Sequence, residues 1–364
     1  MRRVLYRLGG RTLSVLLLLT MLAIFAGQML PEGGTLVYSD GSLTTDFRVQ
    51  RRLYAYDIRQ HVRVPLTPIR QVSGDASFSP DGQRIAYASD RCNPTGTGHC
   101  LYLMTSTARY LDRIAAGVPG YPVGGKRLLW SPDQTQLVFV GASPRDPSVP
   151  LIYQVGPNGD RLRTLTSFSP ADYSIGMTWS SLAMLTALVG SRDAFTAYQL
   201  DVEESENTPQ VIQQWQIGQA NFAQFVRDSW RGTFLTLVRS EQNGNFDVYA
   251  LEPLTGAAIN LSRTPNLDEM DAVFSEDGAW IALVVVRGRQ SALVIMRKDG
   301  SDRRVLVPPT DEVLASPSWS DDGKRILYRF GGVSGERACV VAVDGGPPNC
   351  PLAWQPDMIW WPAR

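Results

Sequence analysis

The chain has 364 residues, 35 basic and 35 acidic side chains, and a hydrophobic content of 44%. Four arginines precede an uncharged apolar segment near the N-terminus, which leaves 31 basic against 35 acidic residues in the remainder. This balance, without any cluster of Lys or Arg, argues against nucleic acid as the main partner. A chain of this length can bury a sizeable core.

The first predicted element in chain order is a membrane-spanning helix. Residues 13–30 carry no charge, and as a helix they would extend about 27 Å, close to the bilayer hydrocarbon thickness of about 30 Å. Because positive charge stays cytoplasmic, residues 1–11 are expected in the cytoplasm, residues 12–30 as a signal-anchor helix, and the remainder outside. Cleavage after Ile24-Phe25-Ala26 is the alternative, but the apolar segment is longer than in most signal peptides, which favours an uncleaved anchor.

A turn motif recurs along the rest of the chain: an aromatic residue, Ser, any residue, Asp and Gly, followed by an apolar strand. Asp-Gly between two strand-like segments is a strong hairpin signal, because Gly accepts the positive φ of a tight turn. The copies are Phe78-Ser79-Pro80-Asp81-Gly82, Trp130-Ser131-Pro132-Asp133 (with Gln134 in place of Gly), Phe274-Ser275-Glu276-Asp277-Gly278 and Trp319-Ser320-Asp321-Asp322-Gly323.

The spacing of the aromatic residues predicts a β-propeller. Each motif is followed by further strand-like segments, and four strands per repeat make one propeller blade. Degenerate copies at Trp179 and Phe225 are placed by spacing and by the strand-like segments after them, Leu182 to Val189 and Thr233 to Val238. The seven predicted anchors are Phe78, Trp130, Trp179, Phe225, Phe274, Trp319 and Trp360.

The two ends of the repeat region complete the ring. Residues 34–66 supply three strands without an inner one, and Met358 to Trp361 supply a single strand with nothing after it. Pairing the C-terminal strand with the first blade leaves no open sheet edge. The sequence therefore predicts an all-β, seven-bladed propeller over residues 36–364, joined to the anchor by a linker at residues 31–35. A six-bladed ring is the alternative if one degenerate copy is not a blade.

The segments Phe78 to Arg91 (FSPDGQRIAYASDR) and Trp319 to Tyr328 (WSDDGKRILY) resemble the repeats of the TolB-type β-propeller family. The resemblance is specific in four repeats and loose in the other three. It implies the propeller fold, although known relatives are mostly six-bladed. The family includes periplasmic interaction proteins, propeller domains of peptidases and some carbohydrate-active enzymes, so it implies no single function.

Four cysteines fit an oxidising compartment. Cys92 and Cys100 flank a polar loop between two predicted strands, and Cys339 and Cys350 flank the Asp344-Gly345-Gly346 turn. An even number of cysteines that fall into two pairs, each close in sequence, is typical of disulfides that join neighbouring strands. We predict one disulfide within each pair, outside the cytoplasm in the cell envelope.

Candidate ligand-binding residues come from the inner strands, which line the central channel. The positions three residues before the anchors include Asp75, Arg127, Asp271 and Asp357. Three carboxylates and one Arg on a ring could bind a cation such as calcium, or a basic peptide group. The remaining positions of this ring are Gly176, Phe222 and Ser316.

No complete catalytic set is visible in the sequence. The chain has only His61 and His99, both in polar segments, and it has no Gly-x-Ser-x-Gly motif, phosphate-binding loop or Cys-x-x-Cys. We therefore expect no catalytic residues, no protein-bound metal centre and no required cofactor. The repeated Asp residues are expected to cap turns rather than to bind calcium.

The leading functional hypothesis is a membrane-anchored, non-catalytic scaffold that binds an envelope protein or glycan. The alternative is an envelope enzyme for sugars or lactones that uses the channel carboxylates with a bound cation. Three tryptophans outside the anchor positions are either core residues or an exposed partner surface. They are Trp215, Trp230 and Trp354.

Overall fold

The structure is a computed structural model. It describes residues 35–43, 49–58, 60–67, 73–89, 98–105, 110–119, 128–143, 145–146, 148–168, 174–191, 194–203, 209–217, 225–332, 335–353 and 359–360. Within these residues no helix is long and apolar enough to cross a membrane. The predicted signal-anchor at residues 12–30 lies outside the described residues.

The described residues form seven four-stranded antiparallel sheets, each one blade of a propeller. Blade 1 contains β1 (Thr35–Leu43), β2 (Val49–Asp57), β3 (Val62–Pro65) and the C-terminal β28 (Ile359–Trp360). Blade 2 contains β4 (Ser73–Phe78), β5 (Arg84–Ser89), β6 (Gly98–Thr105) and β7 (Tyr110–Pro119). Blade 3 contains β8 (Leu128–Trp130), β9 (Leu137–Ala142), β10 (Pro150–Val155) and β11 (Arg163–Ser167).

In each of the remaining four blades, as in blades 2 and 3, the strands follow in chain order from the inner to the outer strand. Blade 4 contains β12 (Ser174–Trp179), β13 (Met184–Gly190), β14 (Phe195–Asp201) and β15 (Gln210–Trp215). Blade 5 contains β16 (Phe225–Trp230), β17 (Thr233–Arg239), β18 (Phe246–Glu252) and β19 (Ala257–Asn260). Blade 6 contains β20 (Asp268–Phe274), β21 (Trp280–Arg287), β22 (Gln290–Arg297) and β23 (Arg304–Thr310). Blade 7 contains β24 (Val313–Trp319), β25 (Arg325–Gly332), β26 (Gly335–Ala342) and β27 (Asn349–Ala353).

The ring closes through the C-terminal strand. β28 is the inner strand of blade 1 and pairs antiparallel with β1, with Trp360 opposite Leu36 and Ile359 opposite Val37. Both the predicted closure and the count of seven blades are confirmed, and the six-bladed alternative is wrong. A closed ring leaves no inner strand without a neighbour.

The recurring motif forms the turn between the inner strand and the second strand. In blade 6 the Ser275 hydroxyl donates to Asp277 Oδ1 at 2.6 Å, and Ser275 Oγ accepts the Trp280 N–H at 2.9 Å. Asp277 Oδ1 also accepts the Ala279 N–H at 3.0 Å, and Gly278 has a φ of 67°. The same serine–aspartate bond of 2.6 Å occurs in the other three copies, so the predicted turn-capping role of the Asp residues is confirmed.

The hydrophobic core lies between neighbouring blades. Leu293 and Ile295 of blade 6 and Ile326 and Tyr328 of blade 7 are fully buried in one cluster. The anchor tryptophans help to join blades, because the indole N–H of Trp319 donates to a backbone carbonyl of blade 6 at 3.2 Å. Trp130 makes the equivalent bond to blade 2 at 3.3 Å.

The alternation of strand directions gives the propeller two distinct faces. One face, here called the turn face, carries the turns after the inner strands and the turns before the outer strands. The opposite face, here called the mouth face, carries the connections between blades and the turns between second and third strands. Because β1 is a second strand, the described chain begins at Thr35 on the turn face.

One of the two predicted disulfides lies wholly within the described residues. Cys339 of β26 is bonded to Cys350 of β27, which joins the third and outer strands of blade 7. A crosslink between strands that are already paired reduces the conformational freedom of the unfolded chain. Cys100 is buried in β6, whereas Cys92 lies outside the described residues.

Candidate functional site

The inner strand of blade 5 requires a correction. Phe225 is the first residue of β16, not the aromatic residue at its end, so its prediction as an anchor is wrong. Trp230 ends the strand, and a two-residue turn of Arg231 and Gly232 replaces the longer motif, with positive φ at both residues. The position three residues before the anchor is therefore Arg227 rather than Phe222.

The predicted mouth residues differ in how far the structure describes them. Asp271 lies on β20 and Asp75 on β4, both where the inner strand has a β-bulge. Only the backbone of Asp75 is described, and Arg127 and Asp357 lie outside the described residues. Bulges occur often beside binding sites because they redirect side chains.

Asp271 is held by neighbouring backbone groups. Its Oδ2 accepts the Ser316 N–H of blade 7 at 3.1 Å, and its Oδ1 accepts the N–H of Ala272 at 3.1 Å. Ser316 lies at the bulge of β24 with a φ of 51°, which turns its N–H toward blade 6. Arg227, Asp271 and Ser316 thus form a group from three consecutive blades.

The environment of this group raises the pKa of the Asp271 carboxyl. Burial raises the pKa of Asp271, and the negative charge of Asp228 acts in the same direction. The positive charge of Arg227 and the two backbone N–H groups lower the pKa, but they offset only part of the effect of burial. Arg227 is exposed, so a ligand in the channel can reach it.

Side chains of the inner strands also link blades 4 to 7 in succession. The Ser229 hydroxyl of blade 5 donates to the Met177 carbonyl of blade 4 at 2.8 Å. Asp228 Oδ2 of blade 5 accepts the Phe274 N–H of blade 6 at 2.9 Å. Asp271, the fourth of the seven residues of β20, then continues the series to blade 7, so its carboxylate has a structural role.

Sequence reasoning missed a buried carboxyl beside this series. Glu269 is 0% exposed; its Oε1 accepts the Thr264 hydroxyl at 2.6 Å and lies 3.3 Å from Arg303 Nη2. Its Oε2 has no hydrogen-bond partner. Burial raises the pKa of Glu269, and the bonds from Thr264 and Arg303 oppose that effect. No local motif marks this residue, because its partners come from the preceding connection and from the outer part of blade 6.

The other candidate residues have structural explanations where they are described. His61 Nδ1 lies 2.9 Å from the Tyr56 hydroxyl in an exposed turn. Trp215 is buried and donates to the Gly256 carbonyl of blade 5 at 3.0 Å, whereas Trp354 is not described. Within the described ranges, no three His, Cys, Asp or Glu side chains are grouped to hold a metal ion.

Comparison with solved structures identifies propellers of several activities. The chain matches TolB from Acinetobacter baumannii with a TM-score of 0.52 and 18% identity, over 90% of this chain and 67% of that one. It matches the β-propeller domain of the Trilobed protease from Pyrococcus furiosus with a TM-score of 0.61 and 11% identity, over 90% and 95% of the two chains. A prolyl endopeptidase matches with a TM-score of 0.61 and 14% identity, over 90% of this chain but only 49% of the endopeptidase chain.

A fourth match is an oligogalacturonate lyase in complex with manganese, with a TM-score of 0.57 and 10% identity, over 87% of this chain and 85% of that one. No family model and no curated protein matches the chain. At these identities the similarities show the fold alone, and the fold is the TolB-type propeller that the repeat predicted.

Proposed function

We propose that this chain is a membrane-tethered, extracytoplasmic binding scaffold whose ligand docks at the mouth of the channel. The observation that supports this proposal most directly is the group formed by Arg227, Asp271 and Ser316 on three consecutive inner strands. These strands are bulged at or beside the three residues. One exposed cation beside a half-buried carboxyl gives the mouth a polar recognition point for a protein or glycan segment.

The mouth face is also better suited to recognition than the turn face. The described inter-blade connection at residues 261–267 joins blades 5 and 6 on the mouth face, whereas the turn face carries short turns such as residues 231–232. Binding residues occur frequently on the longer loops of a rigid scaffold. A ring of packed blades provides that scaffold.

The contacts of Asp271 favour binding over cation-assisted catalysis. Both of its oxygens accept backbone N–H groups, so coordination of a cation would break bonds that connect blades 6 and 7. An enzyme for sugars or lactones remains the competing hypothesis. It requires a cation at the mouth together with activity that depends on the mouth carboxylates.

Site-specific photo-crosslinking in native membranes tests the proposal. A photoreactive residue replaces Arg227 at the mouth, and the matched control replaces Arg231, which is also exposed and lies just beyond the other end of β16. A discrete crosslinked protein or glycan from position 227, absent at position 231, supports docking at the mouth. Equal products at both positions, or a product from position 231 alone, contradict it.

The enzyme hypothesis is tested on the same purified chain. Metal content is measured by mass spectrometry, and activity is measured across a panel of acidic sugars and lactones. Turnover that disappears in Asp271→Asn while the fold is retained would favour the enzyme over the scaffold. The amide of Asn removes the negative charge and keeps one acceptor oxygen, which can serve the Ser316 N–H but not the Ala272 N–H as well.

A further inference from the structure

Most of the exposed large apolar side chains that the structure describes lie toward the turn face. Among the described residues, seven of the nine exposed large apolar side chains lie in turns of the turn face or within the first three residues of outer strands that begin there. These seven are Val62, Leu162, Leu182, Val211, Leu254, Ile259 and Val305. The other two, Met270 and Val313, lie near the starts of inner strands toward the mouth face.

Three of these side chains are leucines that lie in turns rather than in strands. Leu254 is 72% exposed, Leu182 is 56% exposed and Leu162 is 43% exposed. They belong to the turns of blades 5, 4 and 3 respectively. These three leucines, here called the leucine edge, lie on three consecutive blades of the turn face.

The covalent path of the chain identifies what this edge faces. β1 begins at Thr35 on the turn face, and only residues 31–34 separate it from the uncharged segment 13–30. Four extended residues span at most about 14 Å. If segment 13–30 spans the bilayer, as the proposed function requires, the turn face lies at the membrane surface and the mouth face points away from it.

The leucine edge lies across the ring from this attachment point. The chain joins the propeller at blade 1, whereas blades 4 and 5 are the most distant blades in a ring of seven. A tether at one side alone would let the propeller tilt. An apolar contact at the opposite side would hold the turn face flat on the bilayer.

We propose that the turn face docks on the lipid bilayer through Leu162, Leu182 and Leu254, opposite the membrane tether. Aromatic and cationic side chains on the same face fit the interfacial region. Trp280 lies between the guanidinium groups of Arg297 and Arg304, at 4.0 and 4.8 Å from its ring centre. Trp and Arg are favoured at membrane interfaces, where an apolar body and a polar tip are both accommodated.

Charge is not the basis of this docking. The turn face also presents exposed carboxylates, among them Asp160, Glu276 and Asp299, so it is not a basic surface for anionic lipids. Docking is therefore expected on zwitterionic phosphatidylcholine and is expected to persist when added salt screens charges. Loss of docking at high salt would show electrostatic attraction instead and overturn the apolar contact.

Spin-label depth measurements on the full chain test the inference. Leu182→Cys and Leu254→Cys are labelled with a nitroxide in phosphatidylcholine vesicles, and Val313→Cys, with 57% exposure of the native side chain, is the matched control on the other face. Labels at 182 and 254 are expected to be more accessible to oxygen than to a water-soluble nickel complex, and the label at 313 the reverse. The chain without an added cysteine serves as the blank.

Two outcomes separate this inference from the proposed tether. If the chain floats with the vesicles but all three labels are water-accessible, the tether stands and the docking is wrong. If the chain does not float with vesicles, both the tether and the docking are wrong. If docking holds, Leu182→Asp together with Leu254→Asp should lower the docked population, read from a label at position 162, by about tenfold or more.

Discussion

The two ends of β20 use carboxylates in opposite ways. In its first four residues, Glu269 is buried and Asp271 is half-buried, and burial raises the pKa of both. Just beyond its end, hydrogen bonds from the Ser275 hydroxyl and from the Ala279 N–H lower the pKa of Asp277. These two bonds of the turn carboxylate come from neighbours in sequence, whereas Glu269 also depends on Arg303 and Asp271 also depends on Ser316, both more than thirty residues away. The turn end is therefore encoded locally, and the mouth end depends on the assembled ring.

The largest expected effect distinguishes two glycines at the same turn position. A Cβ on Gly278 would lie 2.3 Å from the Trp230 ring, at a φ of 67°, whereas a Cβ on Gly323 would meet nothing within 4 Å, at a φ of 64°. Gly278→Ala is expected to lower the free energy of unfolding by about 3 kcal/mol or more, because a clash adds to the backbone strain. Gly323→Ala should cost only about 1 kcal/mol from strain alone.

Urea unfolding of both variants measures this difference. Equal losses of stability would show that the contact of Trp230 with blade 6 is not part of the packed structure. Greater loss in Gly323→Ala would contradict the placement of Trp230 as the residue that ends β16 and packs on the next blade.

At the mouth end, removal of a link between blades is expected to cost less. Asp228→Ala leaves the Phe274 N–H without its acceptor, and an unpaired, partly buried N–H costs about 1–2 kcal/mol. Asp228→Asn, which retains an acceptor oxygen, should recover most of this loss. Asp311→Ala is the control, because Asp311 is exposed and accepts only an exposed bond from Gln290. Equal urea midpoints for Asp228→Ala and Asp311→Ala would contradict the linking role.

Features that depend on contacts close in sequence were predicted more accurately than features that depend on contacts far apart in sequence. Seven blades and their closure were predictable because the turns are fixed by hydrogen bonds within five residues, as between Ser275 and Trp280. Blade 5 was misplaced because its turn lacks the motif and β16 has an aromatic residue at each end. Asp271 was predicted by counting along an intact repeat, whereas Arg227 was missed through the error at Phe225. Glu269 gave no local signal, because its ion pair is with Arg303, which lies 34 residues away in sequence.

A smaller change, an increase in the free energy of unfolding, is expected from a substitution in the turn between β8 and β9 of blade 3. Gln134 occupies the position of Gly with a φ of 64°, which strains a residue that has a side chain. Gln134→Gly should raise the free energy of unfolding by about 0.5–1 kcal/mol. The gain is limited because Arg84 donates to the Gln134 side chain at 3.2 Å. Gln83→Gly, at an exposed turn position without positive φ, is the control, and it should be neutral or destabilising.

The smallest effects separate the two ends of β20 by their pH dependence. Because the pKa of Asp277 is lowered, its stabilising contribution is present above its ordinary pKa of 3.8 and is lost as the pH falls through the lower folded value. Glu269 behaves in the opposite way. Its raised pKa means that stability falls as the pH rises from its ordinary value of 4.5 through the higher folded value.

Asp277→Asn should therefore reduce the loss of stability below pH 3.8, and Glu269→Gln should reduce the loss above pH 4.5. Unfolding free energies of the parent chain and both variants, measured from acidic to neutral pH, provide the comparison. Glutamine at 269 keeps the size and the acceptor oxygen for Thr264 while it removes the titrating group. If the two variants changed the same pH range, the carboxylates at the two ends of β20 would share one environment, and the division between local turn and assembled mouth would be wrong.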